Sequence, residues 1–207
     1  AWAFQKTAGT VPAGIERFVE KMLKPKQDPR ALLRQAIRNG IGKLVIQNWR
    51  RQSRKIPFLP GHKQLTIPNI WALIDTSGSM SEEELALALG VIYEFSSVAK
   101  INVKCWDADA YETLKVRNKY AVISTVAKKM RGGGGTIIRP VLEAVLKEMK
   151  PKDIVVVISD GEIFDINEGA TRDTLNAVAG KAATRIFFTT SREIEIPNWI
   201  SVKLEPQ

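Results

Sequence analysis

The chain contains very little cysteine and histidine and has no long apolar run. Its 207 residues include one cysteine, Cys105, and one histidine, His62. A single cysteine excludes an internal disulfide and a Cys-rich zinc site. No apolar run approaches the ~18 residues of a membrane span, and the N-terminus lacks the pattern of a secretory signal. These absences predict a cytoplasmic protein, and the initial alanine leads us to expect a fragment of a longer chain.

The charge of the chain is concentrated at one end. Residues 1–64 contain 14 Lys and Arg against 3 Asp and Glu, whereas residues 65–207 contain 17 against 19. The N-terminal third therefore carries a net charge of +11, and the remainder carries −2. Such a segment contacts either an acidic protein surface or the phosphates of a nucleic acid. Protein contact is favoured because no nucleic-acid motif is present. The candidate contact residues are Arg50, Arg51, Arg54 and Lys55.

The pattern of apolar residues divides the chain into two domains. Residues 1–64 show helical spacing over 15–23 and 30–45, followed by a basic connector, and predict a small helical extension. Residues 65–207 alternate strands with helices. This order predicts an α/β domain with a doubly wound, mostly parallel, Rossmann-like sheet flanked by helices. The β-branched run 154–158 predicts a strand that is buried on both faces.

Shorter patterns refine this prediction. Ser81 and Glu84 form a capping box that opens a helix. Asp107 and Asp109 are paired carboxylates, but their place in a predicted hairpin favours turn residues over a catalytic pair. We interpret Trp49 as a packing residue, with stacking against nucleic-acid bases as the alternative.

Three loops rich in oxygen side chains follow predicted strands or turns of the sheet. They are residues 75–79 (Asp-Thr-Ser-Gly-Ser), 132–136 (four glycines and a threonine) and 159–162 (Ser-Asp-Gly-Glu). Ligands of doubly wound sheets bind beyond the carboxyl ends of the strands. Carboxylate and hydroxyl oxygens suit Mg²⁺, with Mn²⁺ or Ca²⁺ as alternatives. The ion takes about six ligands, so five protein oxygens would leave one position vacant. The candidate metal ligands are Asp75, Ser77, Ser79, Thr136 and Asp160.

These three motifs resemble, in order and spacing, the metal-ion-dependent adhesion site of von Willebrand factor A (VWA) domains. The resemblance covers residues 65–207. It implies that Ser77, Ser79 and Thr136 are direct ligands, that the two aspartates bind directly or through water, and that a protein partner donates a carboxylate to the vacant position. One departure is that Ile137 and Ile138 follow Thr136 where many members have a polar residue. This departure removes no ligand, but it makes the rim of the site less polar.

A second resemblance concerns the N-terminal segment. Residues 12–17, 23–26 and 49–54 are similar to the linker of prokaryotic metallopeptidase-like proteins whose carboxyl half is VWA-like. The His-Glu-x-x-His motif of such proteins is absent here, and no Gly-Lys-Ser/Thr follows the glycines 132–135. We therefore expect neither peptidase nor ATPase activity from this chain.

These resemblances predict a metal-dependent protein-interaction module that acts as an adaptor for an AAA+ ATPase. Two alternatives remain open at this point. The first is that the chain is the regulatory carboxyl-terminal part of a zinc metallopeptidase. The second is that residues 1–64 bind nucleic acid.

Overall fold

The computed structural model describes residues 45–53, 58–64, 69–96, 101–127 and 134–205, together with Ala31, Gln35 and Ile56. Within these ranges the chain forms eight strands and four α-helices, one of them very short. The strands are β1 (Val45–Gln52), β2 (Pro60–Gln64), β3 (Ile70–Asp75), β4 (Ile101–Trp106), β5 (Ala110–Val116), β6 (Ile154–Ser159), β7 (Thr184–Thr189) and β8 (Ile200–Lys203). The helices are α1 (Glu82–Ser96), α2 (Lys119–Ala121, continued by a π-helical segment Val122–Ala127), α3 (Arg139–Glu148) and α4 (Gly169–Lys181).

Six strands form one mixed sheet in the order β5-β4-β3-β6-β7-β8. Neighbouring strands are parallel except β4 and β5, which are antiparallel across the predicted hairpin turn. β3 and β6 pair at the centre, with Ile70 opposite Ile154 and Ile74 opposite Ile158. Every residue of both strands is buried. For β6, the β-branched run 154–158 predicted this.

Helices cover both faces of this sheet. α1 and the π-helical segment pack on one face, where Phe95 contacts the core built around Ile74 and Ile158. α3 and α4 pack on the other face, over Leu73 and Trp106. The doubly wound α/β prediction is therefore confirmed. None of the helices in the described ranges is long and apolar enough to cross a bilayer.

The strand order reverses between β3 and β6. After β3 the chain adds β4 and β5 on one side, then crosses over to place β6 on the other side of β3. The carboxyl ends of β3 and β6 therefore meet where a doubly wound sheet opens a crevice. Cys105, on neighbouring β4, is a buried packing residue, and burial raises the pKa of its thiol to about 12.

Residues 45–64 differ from the prediction of a helix followed by a basic connector. β1 and β2 form a separate two-stranded antiparallel sheet, in which Val45 pairs with Gln64. The β-branched pair that starts β1 suits an extended chain, and pairing with β2 satisfies the backbone hydrogen bonds. Trp49 is 77% exposed, so its interpretation as a packing residue was wrong.

The remaining predictions for this segment are only partly within the described residues. The predicted helices over 15–23 and 30–45 lie outside them except at Ala31 and Gln35, which are helical. Arg50 and Arg51 lie on β1, whereas Arg54 and Lys55 lie outside the described residues.

The predicted capping box opens α1 and also ties this helix to a distant loop. The Ser81 backbone N–H donates to the Glu84 carboxylate at 2.8 Å, and the Glu84 N–H donates to the Ser81 hydroxyl at 3.3 Å. The second carboxylate oxygen of Glu84 accepts the hydroxyls of Thr190 at 2.7 Å and Ser191 at 2.6 Å, in the loop after β7. Burial acts to raise the pKa of Glu84, but these hydrogen bonds outweigh burial and hold its pKa below the ordinary 4.5.

We expect Glu84→Gln to lower the melting temperature at neutral pH, with a loss of about 1 kcal/mol after allowance for its partial exposure. A carboxylate whose pKa is lowered by folding stabilises the protein above its unfolded pKa, and this stability disappears as the pH falls through the folded pKa. The difference between the two melting curves should therefore vanish in acid. Glu83→Gln, an exposed change in the same helical turn, is the control. A difference that persists in acid would contradict the assignment.

Candidate metal centre

The first loop begins at Asp75, the fully buried last residue of β3. One carboxylate oxygen of Asp75 accepts the backbone N–H of Ser77 at 2.9 Å. This Asx turn bends the chain directly after the strand. The hydroxyl oxygens of Ser77 and Ser79 then lie 3.0 Å apart. The first loop therefore brings its three predicted ligands together.

The third loop is joined to the first by a residue that the sequence analysis did not select. The hydroxyl of Ser159 donates to the other carboxylate oxygen of Asp75 at 2.7 Å, and it lies 3.3 Å from a carboxylate oxygen of Asp160. That Asp160 oxygen also accepts the backbone N–H of Glu162 at 2.8 Å. Ser159 therefore sits between the two predicted aspartates. The sequence feature that could have identified Ser159 is its position at the end of β6, directly before Asp160.

The second loop carries Thr136, whose side chain is buried. The Gly78 N–H donates to the carbonyl of Gly134 at 3.3 Å, which links the second loop to the first. The Phe164 N–H donates to the carbonyl of Thr136 at 3.0 Å, which links it to the segment after Asp160. The structure therefore assembles all three predicted loops at one edge of the sheet.

Asp107 positions the second loop from the side of β4. One of its carboxylate oxygens accepts the Gly134 N–H at 3.2 Å and the Tyr111 hydroxyl at 2.9 Å. Its carbonyl accepts the Ile137 N–H at 3.0 Å. Burial acts to raise the pKa of Asp107, but the hydrogen bonds, led by that of Asp109, hold it below its ordinary value. Asp107 is a turn residue as predicted, and it additionally holds the Thr136 loop.

The two isoleucines after Thr136 have different roles. Ile138 is fully buried in the core beneath α3, so this departure from the polar pattern is a packing feature. Its backbone N–H and that of Arg139 donate to the buried carboxylate of Asp165 at 2.9 and 3.0 Å. Asp165 thereby caps the start of α3 from another loop, a role that sequence alone did not reveal. Ile137 is 37% exposed.

The electrostatics of the site suit a bound cation. Burial raises the pKa of Asp75, hydrogen bonds from Ser159 and Ser77 oppose this, and the nearby charge of Asp160 raises it further. Buried carboxylates are costly unless they are paired or coordinate a metal. The two predicted carboxylates and three predicted hydroxyls would together make an all-oxygen donor set, of the kind that suits a hard divalent cation. Within the described residues, no group of three or more His, Cys, Asp or Glu side chains forms an alternative metal cluster.

Gly161 closes the third loop against the loop after β7. Its φ is +92°, and a Cβ at this position would lie 2.2 Å from the carbonyl oxygen of Arg192. The Arg192 N–H donates to the Asp160 carbonyl at 2.7 Å. The close approach of these two loops therefore requires glycine at position 161.

Gly161→Ala should lower the free energy of unfolding by about 2 to 4 kcal/mol, because it adds both backbone strain and a steric overlap. Chemical denaturation measures this directly. Gly180→Ala is the matched control: it lies in exposed helix with open space around its Cβ, and alanine there should stabilise by about 0.5 to 1 kcal/mol. Equal effects of the two changes would show that the Gly161 contact is not tight.

Comparisons with known proteins identify the fold. The family model of the VWA-like domain (DUF2201) matches residues 70–184, more than half of the chain. An uncharacterized protein of Thermotoga maritima is 28% identical over 160 residues, which make up 77% of this chain and 40% of that protein. A von Willebrand factor type A structure from Catenulispora acidiphila is similar in fold, with a TM-score of 0.53 and 14% identity over 66% of this chain and 38% of that one. This chain spans less than half the length of either relative. Because the family model matches more than half of its residues, the chain belongs to the VWA-like domain (DUF2201) family.

Proposed function

We propose that this VWA-like domain is a protein-interaction module whose binding depends on a divalent cation. Membership of the VWA-like family supports an interaction module in general terms. The observation that supports metal binding is the convergence of three separate loops at the β3–β6 edge of the sheet. There, the hydroxyl of Ser159 connects the carboxylates of Asp75 and Asp160. Hydroxyl and carboxylate oxygens are the donors that Mg²⁺ prefers, and Mn²⁺ or Ca²⁺ would accept the same set.

Each residue has a distinct role in this proposal. Asp75 and Asp160 balance the charge of the ion, and the hydroxyls of Ser77, Ser79 and Thr136 are neutral ligands. Ser159 holds the two carboxylates in register. The ion, when bound, supplies a positively charged position for a carboxylate of the partner. We propose binding and not catalysis by this chain, because the hydroxyls of the site are assigned to the ion and, for Ser159, to the two carboxylates.

The resemblance to prokaryotic VWA proteins extends the proposal to the setting. We propose the cytoplasm as the location of the module and an AAA+ ATPase as its partner class. The aligned segment is 40% of the Thermotoga maritima protein. Any activity carried over from such a longer protein is therefore also a proposal for this chain. A regulatory role beside a zinc peptidase segment has no specific support among the described contacts.

A second candidate function is nucleic-acid binding through the β1–β2 hairpin. Trp49 is 77% exposed beside basic Arg50 on β1, and exposed aromatics with basic neighbours stack on unpaired bases. Binding to single-stranded DNA that weakens steeply with salt, and that Trp49→Ala reduces, would support it. Flat, weak binding would exclude it.

Millimolar Mg²⁺ should raise the melting temperature, because a ligand that binds only the folded state stabilises it. At one hundred times the dissociation constant the gain is about 2.7 kcal/mol, or about 5 to 10 °C. Asp75→Asn should abolish this rise while keeping an acceptor for the Ser77 N–H. Asp109→Asn, an exposed change in the hairpin turn, should keep the full rise. An unchanged wild-type curve, or an equal rise in Asp75→Asn, would refute the metal site.

Thr136 can be tested by separating its hydroxyl from its shape. Thr136→Val keeps the side-chain volume but removes the hydroxyl, so the Mg²⁺ dissociation constant should increase about tenfold or more, as for loss of a hydrogen-bonding or coordinating group. Thr136→Ser keeps the hydroxyl and should retain most of the affinity. Calorimetric titration with Mg²⁺ measures both. Equal affinities for the two variants would remove Thr136 from the ligand set.

A further inference from the structure

Two exposed apolar side chains lie beside the proposed ligand Thr136. Phe164 is 79% exposed and Ile137 is 37% exposed. Ile137 follows Thr136 in the chain, and the Phe164 N–H donates to the Thr136 carbonyl at 3.0 Å. A single exposed apolar residue needs no explanation on a protein surface. Here two of them come from different loops and are placed next to the same proposed ligand.

The backbone that carries Phe164 is held in place on both sides. Its neighbours Ile163 and Asp165 are buried, at 7% and 4% exposure. Asp165 accepts the N–H groups at the start of α3 and the hydroxyl of Thr171 at 2.9 Å. The exposure of Phe164 is therefore not that of a loose loop. A side chain presented on a fixed backbone loses less entropy when a partner covers it.

The same edge carries an exposed cation. Arg192 is exposed, and its N–H donates to the carbonyl of Asp160, another proposed ligand, at 2.7 Å. Among the described residues its guanidinium forms no ion pair. These exposed side chains form the rim of the proposed site, which consists of Ile137, Phe164 and Arg192. Each rim residue is one peptide bond or one backbone hydrogen bond away from a proposed metal ligand.

An exposed acid on the third loop limits the charge of the partner. Glu162 is exposed, and its N–H donates to the Asp160 carboxylate at 2.8 Å. A partner with several acidic groups would be repelled by Glu162, whereas one carboxylate could bind the cation near Arg192. The charges of the rim and of Glu162 therefore favour a partner with a single acid over a polyacidic one.

From this arrangement we propose that the partner is a protein segment in which one carboxylate is flanked by an aliphatic or aromatic side chain. The carboxylate takes the vacant metal position, and the apolar neighbour packs on Ile137 and Phe164. This inference rests on the metal-dependent interaction proposed above and adds the sequence preference of the partner. Exposed apolar and cationic side chains around a charged centre are the features from which protein interfaces gain affinity and orientation.

The test begins with a random peptide library displayed on phage and selected on the full chain in millimolar Mg²⁺. Peptides released by a chelator should contain one Asp or Glu next to Leu, Ile, Phe or Trp. Enrichment of polyacidic peptides without apolar neighbours would overturn the proposal. Failure to enrich any Mg²⁺-dependent peptide, on a chain that binds Mg²⁺, would overturn it as well.

Variants then test the rim with one enriched peptide, by fluorescence anisotropy. Phe164→Ser should weaken binding by about tenfold or more, because it removes the apolar surface that the peptide covers. Arg192→Gln should weaken binding and make it less sensitive to salt. Ile200→Ser is the matched control, since Ile200 is 51% exposed at the opposite, amino-terminal end of β8. Equal weakening by Phe164→Ser and Ile200→Ser would overturn the proposal.

The melting response to Mg²⁺ separates the two proposals. Phe164 contributes no proposed ligand, so Phe164→Ser should keep the Mg²⁺-induced rise of the wild type. Loss of that rise in the wild type refutes the metal-dependent function itself. A normal rise, together with unchanged peptide affinity in Phe164→Ser, refutes the rim alone.

Discussion

The parallel pairing of β3 with β6 places two acidic residues at the same edge of the sheet. The five paired positions run from Ile70 opposite Ile154 to Ile74 opposite Ile158. A parallel ladder ends both strands together, so Asp75, the last residue of β3, emerges level with Ser159, and Asp160 follows directly after Ser159. Both strands are fully buried, and a slip by one residue would move every side chain to the opposite face. The apolar packing of the centre therefore determines where the charged groups meet.

Around this edge, buried acids perform two different tasks. Asp107 and Asp165 use their carboxylates on backbone N–H groups, and they thereby fix the loop of Thr136 and the start of α3. Asp75 and Asp160 share the hydroxyl of Ser159, and their charges raise the electrostatic cost of the site. Among the described residues, the first pair is compensated by hydrogen bonds, since each acid accepts several N–H or O–H donors. The second pair is the one that a cation would compensate further.

Sequence patterns predicted the central domain well because its signals are local. The β-branched run of β6, the capping box of α1 and the order of alternating elements each depend on neighbours in the chain. The long-range contacts of Ser159, Asp107 and Asp165 could not be assigned in this way, because the residues that they reach lie 26 to 84 positions away. The hairpin at residues 45–64 was missed because its basic and turn-prone composition resembled a connector, while pairing between β1 and β2 satisfies the backbone. Tertiary contacts, not composition, decided these positions.

The fully buried Trp106 connects the site to the intrinsic fluorescence of the protein. Its carbonyl accepts both the N–H and the hydroxyl of Thr76, at 2.8 and 3.0 Å, within the loop between Asp75 and Ser77. Its indole is packed in the core beneath α3. Emission from a buried indole is displaced to shorter wavelengths than emission from an exposed one such as Trp49. A movement of the first loop would therefore act on the backbone of a residue whose indole lies inside the core, and the emission of Trp106 is an optical signal with which such a movement can be sought.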